Sequence, residues 1–163
     1  MTLALPTSAD VEVAAERDHD ALELSFRLLV PVPQALDAAL PSGAQVRIVY
    51  SVRVKAERRL IWNRRLWKGD VTAGVTFDPV TGRYRCELLL DEVIVASQET
   101  RIPAEARQWL IAPPPVRLSL PSGRRSPELV VRVRAIFSSA TRWLLFPSVD
   151  GTEWAELRVE PGQ

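Results

Sequence analysis

From Ala44 to Glu57 the chain alternates almost without a break. Val46, Ile48, Tyr50, Val52, Val54 and Ala56 share one parity, while Gln45, Arg47, Ser51, Arg53, Lys55 and Glu57 take the other and Val49 alone is out of place. Successive side chains of a strand point to opposite faces, so this pattern predicts a long β-strand with one apolar and one cationic face. The same period recurs at Val11–Ala15, Leu22–Val30, Val71–Phe77, Tyr84–Leu90, Val116–Leu120, Leu129–Phe137 and Ala155–Val159, with a weaker candidate over Glu92–Ala96.

The connections are equally readable. Asp78, Pro79, Val80, Thr81 and Gly82 supply the fixed and the positive φ of a tight reversal, which predicts a hairpin between the strands on either side. Arg17 to Asp20 forms a polar turn between the first two strands. Pro33 opens a short helix over Gln34–Leu40, closed by Pro41, Ser42 and Gly43, and Pro103 opens a second over Ala104–Ile111, stopped by Pro113–Pro115. About nine short strands separated by turn signals indicate an all-β fold, an antiparallel β-sandwich of immunoglobulin-like or related type with two short helices.

Composition narrows this picture only slightly. With 163 residues, 47% of them hydrophobic, the chain is long enough for one well-formed core, and no internal boundary divides residues 10–163. Residues 1–9, MTLALPTSA, read either as a flexible tail or as the end of a signal peptide. Cys86, the single cysteine, sits on the apolar parity of its strand and reads as a small core residue. A net charge of +1 argues against bulk electrostatic binding to nucleic acid.

Candidate chemistry is sparse. The one histidine, His19, lies between Asp18 and Asp20, without the spacing of a zinc or calcium site. No GxSxG elbow, phosphate loop or dinucleotide glycine motif is present, and neither a cofactor nor a metal is expected. Two carboxylate pairs, Asp91 with Glu92 and Glu153 with Glu156, fit exposed strand ends better than acid-base catalysis.

The local charge pattern stands out more. Arg47, Arg53, Lys55, Arg58, Arg59, Arg64, Arg65 and Lys68 face only Glu57 in the same stretch, with Trp62 and Trp67 interleaved, whereas residues 10–27 are predominantly acidic. Arginine with tryptophan suits stacking on single-stranded nucleic acid, a membrane interface, or the centre of a protein interface. The plain structural alternative has the cationic face pairing across strands with the acidic amino-terminal strands while the tryptophans fill the core. Trp143 and Trp154 raise carbohydrate stacking as a minor option.

Four segments together resemble one known family. The helix ALDAALPSG, the strand RIVYSVRVKAERR, a tryptophan-bearing link and the hairpin VTAGVTFDPVTGRYRC, with Phe77, Asp78, Thr81 and Tyr84 at its turn, are similar to the bacterial domain of unknown function 4390 family. The resemblance covers roughly Leu22 to Leu90, with echoes at Leu129–Phe137 and at Glu153 and Trp154. It implies an exported, periplasmic or otherwise extracytoplasmic protein, and it assigns no catalytic residue or ligand.

The expectation is therefore a non-enzymatic binding domain. Its contact surface would comprise Arg47, Arg53, Lys55, Arg58, Arg59, Trp62, Arg64, Arg65, Trp67 and Lys68, directed at a protein partner or an anionic envelope surface, with nucleic acid disfavoured. The alternative is a carrier holding a small apolar ligand between the sheets, with Trp109 and Trp143 lining the cavity.

Overall fold

In the computed structural model the described residues are 10–18, 20–57, 64–121, 128–139 and 151–160. The tail 1–9, His19, Arg58, Arg59, Trp62, most of the loop between Pro121 and Pro127, and Trp143 lie outside them. Nine strands form two antiparallel sheets among the described residues.

Strands β1 (Val11–Asp18) and β2 (Ala21–Leu28) make a hairpin, and β7 (Val116–Ser119) completes a three-stranded sheet of order β1-β2-β7. The larger sheet contains β3 (Val46–Glu57), β4 (Arg64–Asp78), β5 (Arg83–Leu90), β6 (Val93–Thr100), β8 (Glu128–Ser139) and β9 (Ala155–Val159). Its order is β6-β5-β4-β3-β8-β9, which puts the long alternating strand β3 between β4 and β8.

Helix α1 (Gln34–Ala39) ends one residue earlier than its pattern predicts and continues as a 3-10 turn over Leu40–Ser42. Pro41 has no N–H to donate back along the helix, and Gly43, at φ +79°, completes the reversal. Helix α2 (Pro103–Ile111) sits against the inner face, burying Ala106, Trp109 and Leu110. Val93, Ile94 and Val95 on the edge strand β6 remain exposed.

The apolar parity of β3 is closed to water along its whole length: Val46, Ile48, Tyr50, Val52 and Val54 are 0% exposed and Ala56 is 1%. Burying each valine contributes about 1.5 kcal/mol or more, and Val71, Ala73 and Val75 of β4 and Leu129, Val131, Val133 and Ala135 of β8 are likewise buried. Opposite them, the three-stranded sheet contributes Val11, Val13, Leu22, Leu24, Phe26, Leu28, Val116 and Leu118.

Phe26 and Tyr50 join the two sheets by stacking at 5.2 Å between centroids. The Tyr50 hydroxyl donates to the carbonyls of Leu110 (2.8 Å) and Ile111 (3.2 Å), satisfying acceptors at the end of α2 that have no intrahelical partner. Burial pushes the Tyr50 phenol well above its ordinary value of 10.0.

The hairpin between β4 and β5 forms as its turn residues predict. Asp78 accepts from the N–H groups of Val80 and Thr81 and from the Thr81 hydroxyl, Gly82 adopts φ +66°, and these bonds hold the Asp78 carboxyl below its usual range. Cys86 is fully buried, and burial, followed by the nearby Glu105 carboxylate, pushes its thiol up to about 11.

One stretch departs from the sequence reading. Residues Arg64 to Lys68, expected as part of a link, are already strand β4, with Lys55 opposite Arg65, Val54 opposite Trp67, and Leu66 left over as a bulge. The bulge shifts parity by one residue and Gly69 has no side chain, so the alternation is hidden there.

A candidate binding surface on the large sheet

Strand β3 carries Arg47, Ser51, Arg53, Lys55 and Glu57 outward, and its two neighbours determine what joins them. In the register, Lys68 of β4, Arg53 of β3 and Arg132 of β8 stand in one row across the sheet, followed by Glu156 of β9. The next rows along the strands hold Arg65, Lys55, Val130 and Arg158 on one side, and Asp70, Ser51 and Arg134 on the other. This outer face is therefore rich in cations contributed by four strands.

Trp154, immediately before β9, lies among them. The guanidinium carbons of Arg53, Arg134 and Arg132 stand 4.5, 4.9 and 5.6 Å from its ring centroid. At these distances the ring quadrupole attracts the cations, offsetting part of their mutual repulsion. Nearby carboxylates neutralise part of the field: Arg132 Nε is 3.4 Å from Glu156 Oε2, too poorly aligned for a hydrogen bond, and Arg158 is 3.7 Å from Glu57. Ser51 donates to Asp70 Oδ1 at 2.6 Å. The Nε atoms of Arg132 and Arg134 are shielded from solvent and have no hydrogen-bond partner.

The residues singled out in the sequence separate into three groups. Arg47, Arg53, Lys55, Arg65 and Lys68 occupy the outward register positions of one face, with the stem of Arg47 lying over Gly74. Trp67 does not join them. It shares the inward parity of Val54 and packs against the core, its Cη2 2.6 Å from where a Cβ on Gly69 would stand. Arg64 opens β4 opposite Ala56, while Arg58, Arg59 and Trp62 fall outside the described residues.

Four contributors were missed: Arg132, Arg134, Trp154 and Arg158. Their outward parity was legible, since Arg132 and Arg134 alternate with buried valines, but nothing local announced that β8 would lie beside β3.

The acidic amino-terminal strands do not neutralise this face. Glu12, Glu16 and Asp18 of β1 and Glu23 of β2 are on the other sheet, which overturns the cross-strand pairing expected as the plain alternative. Glu16, Asp18, Ala21, Glu23 and Arg117 line a shallow depression of about 270 Å³ there, and Arg117 pairs with Asp18 at 2.8 Å. Asp91 and Glu92 form the turn between β5 and β6, both at positive φ, and Asp91 accepts from the Asp70 N–H at 3.0 Å. Among the described residues no helix is long and apolar enough to cross a membrane.

Fold and surface together define an antiparallel two-sheet sandwich domain bearing a basic, tryptophan-centred outer face. The sequence model of the family described as "Domain of unknown function (DUF4390)" matches residues 9–145, and the chain belongs to that family. The match runs from before β1 through β8, and Trp154 and β9 follow it. No curated protein and no solved structure matches the chain.

Proposed function

We propose that this is a non-enzymatic domain, acting outside the cytoplasm, that binds a protein partner through the basic outer face of its large sheet. The observation that carries the reading is the gathering of Arg53, Lys55, Lys68, Arg132 and Arg134 on one face. Cations spread over three adjacent strands at fixed spacing act as a positive patch that steers and orients a negatively charged partner. The extracytoplasmic placement draws on the export that the family kinship implies.

A carrier of small apolar ligands is the weaker reading. The inner positions of β3 are closed to solvent, and Trp109 is only 6% exposed, with its indole N–H committed to the Glu87 carbonyl at 3.2 Å. Both features support an interior filled by the protein's own side chains.

The test replaces Arg47, Lys55, Arg65 and Lys68 together with serine, residues whose side chains lie on the outer face. The circular dichroism spectrum and melting temperature should stay close to those of the parent, while recovery of the partner in a pulldown from the native envelope extract falls. Equal recovery by the folded variant rejects the reading.

A further inference from the structure

We infer that Arg53, Arg132 and Arg134, ordered around Trp154, recognise an extended acidic segment of a protein partner. This rests on the reading of the basic outer face as a binding surface, and it names the chemistry of what binds there.

The indole ring is occupied by three guanidinium groups, at 4.5, 5.6 and 4.9 Å, and is not presented as a platform for a sugar. Among the described residues, Arg132 has Glu156 as its ion-pair partner, whereas Arg53 and Arg134 have no carboxylate partner. Three cations held this close repel one another, so a bound oxyanion gains from all three at once. With the Nε atoms of Arg132 and Arg134 shielded, the terminal nitrogens present the donors, in the fork geometry that takes a carboxylate bidentately.

Spacing points to an extended chain. Arg132 and Arg134 are two residues apart on one strand, a repeat of about 6.8 Å, and Arg53 and Lys55 repeat it on the adjacent strand about 4.8 Å away. An extended peptide with carboxylates at alternate positions has the same repeat, so successive acidic side chains meet successive cations.

A membrane plane fits less well. Asp70, Glu57, Glu128 and Glu156 stand on the same face and would oppose a uniformly anionic surface. The Trp154 ring, engaged by arginines, is not offered for insertion at the lipid interface.

The experiment uses a fluorescein-labelled peptide of alternating glutamate and serine, about 33 Å long when extended over about ten residues, with vesicles of phosphatidylglycerol as the comparison. Fluorescence anisotropy should show saturable binding that weakens as sodium chloride is added. The ¹⁵N resonances of Arg53, Arg132 and Arg134 Nε should shift during the titration. The double variant R53Q/R134Q should bind at least about tenfold more weakly with its melting temperature retained. Trp154 acts through the arginines as a positioning residue, so W154A should lose affinity and disperse the Nε shifts, while W154F restores both.

No saturable binding, binding unaltered in R53Q/R134Q, or tighter binding to the vesicles than to the peptide overturns the inference. The two proposals fail separately. If the quadruple serine variant loses its partner while R53Q/R134Q keeps it, the basic-face reading stands and the arginine triad falls; if neither loses it, both fall.

Discussion

Replacing Tyr50 by phenylalanine tests how the two sheets and α2 are held together. The substitution keeps the ring stacked on Phe26 but removes the hydroxyl that serves the Leu110 and Ile111 carbonyls at 2.8 and 3.2 Å. Those acceptors lie at the buried end of α2, and leaving them unsatisfied costs about 1–3 kcal/mol. The cost should appear in urea denaturation at pH 7, followed by circular dichroism, as a lower midpoint with an unchanged slope.

Alkaline titration supplies a second, independent readout. Burial raises the folded-state pKa of Tyr50 above its ordinary value of 10.0, so the phenol ionises more readily in the unfolded chain than in the native one. A raised pKa gives stability that is fully present below pH 10 and is lost as pH climbs from there toward the folded-state value. The loss attributable to this group is about 1.4 kcal/mol by pH 11. The Tyr50→Phe variant has no such group, so the gap between parent and variant should narrow above pH 10, whatever the other residues contribute to both. A gap below about 0.5 kcal/mol at pH 7, under the range for an orphaned buried acceptor, would refute the hydrogen-bond argument. A gap that stays constant from pH 9 to 11.5 would refute the burial argument.

Two further outcomes follow from local geometry. Asp91 and Glu92 form a two-residue hairpin loop at φ 47° and 69°, and relieving the left-handed strain at the second position with Glu92→Gly should raise stability by about 1 kcal/mol, read from thermal melts. A lower melting temperature would contradict that reading. Cys86, buried with its thiol pushed up to about 11, should not react with a disulfide exchange reagent at pH 8 in the folded protein and should react promptly once the chain is denatured. Rapid modification of the native state would show an accessible thiolate instead.

Most strands were legible because a period of two is a local property. Val46 to Ala56 announces β3 without reference to any neighbour, and the turn at Asp78–Gly82 declares its hairpin through the φ needs of four or five consecutive residues. The bulge at Leu66 defeated the same logic, since one extra residue reverses the parity of everything before it and turns Arg65 to the outer side, while Trp67 keeps the inner parity of Val71 and Val75.

The candidate surface was only half visible. Arg53, Lys55 and Lys68 lay within a stretch whose charge could be counted, but Arg132, Arg134 and Trp154 come from segments far along the chain. Taken alone, the sequence determined which residues alternate, which face of each strand is wet, and hence an all-β sandwich with a cationic strand. Tertiary structure decided that β8 and β9 lie beside β3, that the acidic strands belong to the other sheet, and that three arginines meet over one tryptophan. Strand order and register are chosen by the packing of the whole core, where the apolar faces of β3, β8 and β9 must close over the same interior; the charged groups on their outer faces are brought together as a consequence.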